Sequence, residues 1–141
     1  MSLGINLLVA LSKKAAEILE GNFDIEIVEK HHNQKLDAPS GTAIMLANAI
    51  NEEAEDKYNY VYDRHSVRAK RTKNEIGMHA IRGGTIVGEH EIIFAGRDEV
   101  ISLKHEAHSK SVFAVGSVNA AIFLENKPAG LYAMSDLLKE S

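Results

Sequence analysis

Three consecutive segments, residues 76–82, 85–95 and 100–108, carry strand patterning and are separated only by Gly83-Gly84 and by Gly96-Arg97-Asp98-Glu99. Strand side chains point alternately to opposite faces, so such segments become stable only as a sheet with at least one face covered. A two-residue turn at Arg97-Asp98 would set His90 opposite His105, Ile92 opposite Leu103 and Glu91 opposite Lys104. One face of that pair is then apolar with two histidines, and the other is charged. Gly83-Gly84 predicts a second tight hairpin. A fourth strand is expected over 23–32, where Phe23, Ile25 and Ile27 alternate and His31 and His32 fall at the end.

The cover for this sheet comes from helices. Ile5, Leu8, Leu11, Ala15, Ile18 and Leu19 recur at three- and four-residue spacing, with Lys13, Lys14 and Glu17 opposite, and Gly21 stops the run. After an aperiodic loop over 33–39, Ser40 is placed to cap a second helix reaching residue 54. Residues 55–75, rich in Arg64, Arg68, Lys70, Arg71 and Lys73, read as a polar connection with at most a short strand near Tyr58 to Tyr62. Helical spacing returns from Lys110 to Leu124 through Val112, Val115, Val118 and Ile122, and Lys127-Pro128-Ala129-Gly130 ends it. The expected fold is α+β: a mixed, mainly antiparallel sheet with helices on one face and the other face used for oligomerisation. Met1-Ser2-Leu3 reads as an expression scar, because a helix follows with no strand or loop of its own before it.

Composition excludes several classes of function. The 141 residues include no cysteine, which removes disulfides, thiol catalysis and thiolate zinc sites. With 16 basic against 20 acidic residues the formal charge is -4, which offers no footprint for a nucleic-acid backbone. No apolar run approaches the ~18 residues of a membrane span, and no signal-like N-terminus is present, so a cytoplasmic protein without membrane partners is expected.

Chemistry concentrates between Glu29 and Ala43, where two imidazoles, Lys35 and a helix N-terminus fall within a short stretch. A helix opened by Ser40-Gly41-Thr42 offers free N–H groups, a positive dipole end, a hydroxyl and a glycine that lets a ligand approach the backbone. Lys35 adds a movable positive charge, and histidine is the side chain best suited to proton exchange near neutrality. Each feature also has a plain structural reading: a helix cap, a solvated lysine, an incidental histidine pair. Their convergence on one loop is what points to a small carboxylate or phosphate undergoing proton transfer. His31 and His32, being adjacent, fit two distinct roles better than chelation of one atom. His90 and His105 read as a buried or interfacial pair, since zinc would want a third ligand that is not evident; His65, His79 and His108 read as surface or satisfied histidines.

The stretch Glu29, His31-His32, Lys35 and Asp37-Ala38-Pro39-Ser40-Gly41-Thr42-Ala43 resembles the signature of the dihydrodipicolinate reductase family, also called 4-hydroxy-tetrahydrodipicolinate reductases, of the diaminopimelate and lysine pathway. The resemblance continues through Ile76-Gly77, Arg82-Gly83-Gly84, Ile86 to His90 and Gly130-Leu131-Tyr132, and so spans residues 4–138. It implies that His31 is the general acid, that Lys35 is a second proton-donating group, and that His32, Lys35, Ser40, Gly41 and Thr42 bind the substrate carboxylate. Lys110 would stand where the family often has arginine, keeping the charge and losing the bidentate fork. The implied reaction is reduction of a cyclic imine dicarboxylate by NADH or NADPH.

No glycine-rich dinucleotide pattern occurs in the sequence, so the chain is similar to the family's substrate-binding domain without its cofactor domain. On that basis residues 4–110 are expected to form the substrate-binding and oligomerisation unit. Residues 111–141 would pack on a nucleotide-binding domain, with no cofactor or metal held by this chain and no reductase activity of its own. A homo-oligomer, in the family a tetramer, is implied as well. Two other classes stay open: a non-catalytic module that binds dicarboxylates, and an oligomerisation module with no ligand.

Overall fold

In the computed structural model, residues 2–139 are described. The elements follow the order α1 (Leu3–Leu19), β1 (Asp24–His31), α2 (Gly41–Glu53), β2 (Asn59–Val61), β3 (Glu75–Arg82), β4 (Gly88–Ala95), β5 (Val100–Ala107), α3 (Ser111–Leu124) and α4 (Met134–Lys139). Helix α1 starts where Ser2 Oγ accepts the Ile5 N–H, and α2 starts where Ser40 Oγ accepts the Ala43 N–H. Both hydroxyls satisfy donors that the first turn of a helix leaves free.

The five strands form one sheet in the order β2-β3-β1-β4-β5. The β2/β3 and β1/β3 pairs are parallel, while β1/β4 and β4/β5 are antiparallel, so the sheet is evenly mixed rather than mainly antiparallel. The Arg97-Asp98 turn behaves as its spacing predicts: Gly96 N–H donates to Glu99 O, and His90/His105, Ile92/Leu103 and Glu91/Lys104 face one another. The Gly83-Gly84 hairpin does not form. Strands β3 and β4 lie on opposite sides of β1, and the chain between them crosses the end of that strand. There Gly83 N–H donates to His31 O and Asn33 N–H donates to Gly84 O, with Gly84 at φ +49°.

The reason is physical. A hairpin joins strands ~4.8 Å apart, whereas bridging β1 spans about twice that, which the added residues 85–87 supply. A β3/β4 hairpin would also leave one side of β1 with unpaired backbone groups.

One face of the sheet is dry. Ile25, Ile27, Ile76, Met78, Ile92 and Phe94 pack against Leu8 and Ala16 of α1 and Ala43, Leu46, Ala47 and Ile50 of α2. On the other face the polar connection is pinned rather than loose. The Arg71 guanidinium donates to the carbonyls of Ile25 and Glu75 and to the carboxylates of Asp24 and Glu26, and Arg64 reaches Glu26 and Glu75.

Because Ile27 has no exposed surface and sits on the central strand, Ile27→Ala is expected to lower the unfolding free energy by about 2–5 kcal/mol. Leu36→Ala, at a side chain 98% exposed, should change it by less than ~0.5 kcal/mol. Urea denaturation of the two variants at equal protein concentration checks both.

Candidate functional site

Strand β1 alternates Ile25, Ile27, Glu29 and His31 onto the helix-covered face, so the apolar column turns polar over its last two inward positions. The Glu29 side chain has no exposed surface. Its partners come from three elements. Arg82, at the end of β3 and in register with His31, forms a fork: Nη1 donates to Glu29 Oε2 at 2.7 Å and Nη2 to Oε1 at 2.7 Å. The Ser40 N–H, at the start of α2, donates to Oε1 at 3.0 Å. His31 Nδ1 lies 2.6 Å from Oε2. Burial pushes the Glu29 carboxyl upward, but Arg82, His31 and the Ser40 N–H together outweigh it and hold the group below the ordinary carboxylate value.

Further contacts tie this cluster to the loop and to β4. Arg82 Nη2 also donates to Asp37 O at 2.7 Å, and the Lys35 ammonium pairs with the Asp37 carboxylate at 2.8 Å. That brings the loop over the end of β1. His90 Nε2 lies 2.9 Å from Ser40 Oγ, and the His90 and His31 rings meet edge to face with centroids 5.1 Å apart. Burial above all, then the neighbouring His31, lowers the His90 pKa to about 4, so it is a neutral partner of the Ser40 cap.

The structure therefore brings His31, Lys35, Ser40, Gly41 and Thr42 to one end of the sheet. His31 is nearly buried, and the ideal Cβ position at Gly88 lies 3.1 Å from its Nε2, so a side chain there would press on the ring. Gly41 is exposed, with nothing within 4 Å of where a Cβ would sit, which leaves the first helical turn approachable. Thr42 and His32 are half-buried, and the His32 carbonyl accepts the Lys35 N–H.

Ser40 differs from its expected role. Its hydroxyl is buried and already engaged by Ala43 N–H and His90. Lys110 is not gathered in: it is exposed at the start of α3, past the end of β5, and among the described residues no hydrogen bond or ion pair joins its ammonium to the cluster. A cavity of about 730 Å³ between α1, α2 and residues 133–135 touches this end of the fold only at Gly41.

Sequence reasoning missed the Arg82 fork and the His90–Ser40 contact. Arg82 was visible only as the residue before Gly83-Gly84. The signal that would have found it is the parallel β1/β3 register, which sets Arg82 beside His31.

Residues 4–138 match the family model described as dihydrodipicolinate reductase, C-terminus. The chain belongs to this family. It is 59% identical over 140 residues to the 4-hydroxy-tetrahydrodipicolinate reductase of Caldanaerobacter subterraneus subsp. tengcongensis, covering 99% of this chain and 55% of that protein. It is 54% identical over 138 residues to the enzyme of the same name from Clostridium tetani, covering 98% and 54%. The chain thus spans about half the length of these relatives. Among solved structures it is similar to a dipicolinate-bound dihydrodipicolinate reductase from Paenisporosarcina sp. TG-14, with a TM-score of 0.63, 29% identity, and coverage of 83% of this chain and 44% of that one.

The neutral buried His90 makes the Ser40 cap sensitive to acid. Its folded pKa of about 4 lies below its unfolded value of ~6.5, so the unfolded state binds more protons between these values and stability falls as pH drops through that window. The loss is expected to be about 1.5 kcal/mol between pH 6.5 and pH 5. In His90→Gln this part of the slope should disappear, which urea titrations of both proteins at the two pH values and one concentration would reveal.

Proposed function

We propose that this chain is the substrate-binding part of a reductase that converts 4-hydroxy-tetrahydrodipicolinate to tetrahydrodipicolinate in diaminopimelate and lysine biosynthesis. The observation that carries the proposal is the single Glu29 carboxylate that holds both the His31 imidazole and the Ser40 N–H at the start of α2. A proton donor and an anion-binding helix end are thereby clamped beside each other. The dipicolinate in the Paenisporosarcina structure is a flat dicarboxylate, the charge type that such an end accepts.

In this proposal one substrate carboxylate sits on the N–H groups of Gly41 and Thr42, with the Thr42 hydroxyl, Lys35 and His32 around it. His31, protonated on Nε2, supplies a proton to the β-carbon of the enamine, which gives the imine, or to the departing hydroxyl, which leaves as water. Lys35, drawn from Asp37, balances the dianion and serves as the second proton source. Lys110 reaches the other carboxylate only after α3 or its own side chain moves toward the cluster.

NADH or NADPH supplies the hydride in such an enzyme. In this proposal the dinucleotide is not held at this site, because the β1-to-α2 connection runs from His32 to Ser40 through Pro39 with no glycine-rich turn. Its own part is confined to binding, orientation and proton delivery, and the isolated chain is proposed to be inactive.

The division into residues 4–110 and 111–141 belongs to the same proposal. Helix α3 buries only Gly116 while Val115, Val118 and Ile122 are more than half exposed, a face suited to a nucleotide-binding domain. The open sheet face, with Ile81 and Val100 exposed beside the Lys30–Glu89 and Lys104–Glu89 pairs, is proposed to meet other copies in a cytoplasmic homotetramer.

Calorimetric titration with pyridine-2,6-dicarboxylate tests the core of the proposal. Saturable binding is expected for the chain, weakened at least about tenfold in Lys35→Ala and about threefold in Thr42→Val. Indifference of a folded, oligomeric sample to the dicarboxylate would replace the enzyme reading with an oligomerisation module.

A further inference from the structure

Glu29 accepts four hydrogen bonds, which is the full capacity of a carboxylate: Arg82 Nη1 and His31 Nδ1 on Oε2, Arg82 Nη2 and the Ser40 N–H on Oε1. Arg82 and the backbone amide can only donate. Two of the donors are therefore invariant in chemistry, and the Arg82 fork fixes the carboxylate plane so that both oxygens are occupied from one side. A proton placed on Glu29 would put a donor against a donor. A His31 ring with its proton on Nε2 alone would put a lone pair against a lone pair. The arrangement is satisfied only when Glu29 is ionised and His31 carries hydrogen on Nδ1.

We infer that Glu29, held by the Arg82 fork, is a positioning residue that locks the His31 tautomer, so that Nε2 is the one nitrogen of His31 that gains and loses the transferable proton. The inference deepens the proposed reductase function and rests on it for the identity of the proton's destination. It does not rest on it for the position of the proton.

The geometry around Nε2 fits this division of labour. The ring edge carrying Nε2 lies against Gly88, where a Cβ would come within 3.1 Å of the nitrogen. Nδ1 faces the buried Glu29 carboxylate, and Nε2 faces Gly88 at the start of β4. The charged and titratable groups around His31 are Glu29 from its own strand, Arg82 from β3, His90 from β4, and Lys35 with Asp37 from the loop. Of these only Glu29 contacts a ring nitrogen. The same carboxylate holds the first amide of the anion end, so the proton-bearing atom and the carboxylate seat keep one spacing.

Nitrogen-15 NMR of the intact chain with labelled histidine reads the proton directly, with His31 assigned through His31→Gln. At a pH where the ring is neutral, the expected spectrum has a pyrrole-like Nδ1 and a pyridine-like Nε2 at His31. The paired variant Glu29→Gln with Arg82→Gln removes both charges together and so avoids leaving one buried without its partner. In it the pyridine-like signal should move to Nδ1 in most molecules. A wild-type His31 that is protonated on Nε2 when neutral overturns the inference without any variant. So does a folded double variant whose tautomer is unchanged.

Neither readout depends on dicarboxylate binding. Failure of the calorimetric test with a locked Nδ1–H sinks only the reductase reading, and the reverse outcome sinks only the positioning role.

Discussion

A carboxylate with no exposed surface sits where β1, β3, α2 and the loop before α2 come together, and the structure tolerates its charge because donors fill every lone pair it has. A buried ion that loses its partner costs several kcal/mol, so the placement of Arg82, His31 and the Ser40 amide is enforced from the inside. The pair is not an ornament of the surface. It sets the angle at which α2 leaves the loop, and through the second Arg82 contact with Asp37 O it draws the loop over the sheet end. Stability and site geometry are therefore the same set of bonds.

Helix α2 shows how narrow the tolerance is. Its cap hydroxyl is shared between Ala43 N–H and His90, whose ring is kept neutral by burial and packs against His31. Apolar residues at these positions would fill the space equally well and would leave the helix end uncapped. The polar end of an otherwise apolar face is thus held by bonds that converge on Glu29 and Ser40, while Arg82 Nε and His90 Nδ1 are buried without a hydrogen-bond partner among the described residues.

Local rules were read correctly where the interaction was local. The caps at Ser40 and the helices on either side of β1 follow from periodicity, and the β4/β5 register follows from a two-residue turn. The Gly83-Gly84 signal was genuine as a turn, with Gly84 at positive φ, yet it did not name the partner strand. Alternation tells which face is buried and says nothing of which neighbour supplies the hydrogen bonds, so the parallel β1/β3 pairing was invisible. The same blindness hid Arg82, which is 53 residues from Glu29 in the chain. His31 and Lys35 were legible because they lie four residues apart, at the end of β1 and in the loop that follows it. Lys110, inferred from resemblance alone, is the residue that the fold does not gather to the others.

The crossing of the chain over the end of β1 has a consequence for how the molecule comes to be assembled. The central strand is made early, and both of its neighbours, β3 and β4, are made only after the whole α2-β2 stretch. Until residue 95 has been added, one flank of β1 has no hydrogen-bonding partner, however well α1 and α2 have formed. Such long-range closure is slow compared with local pairing. The nascent chain must therefore pass through a stage in which its central strand is an open edge, and the residues that later seal the site also end that vulnerability.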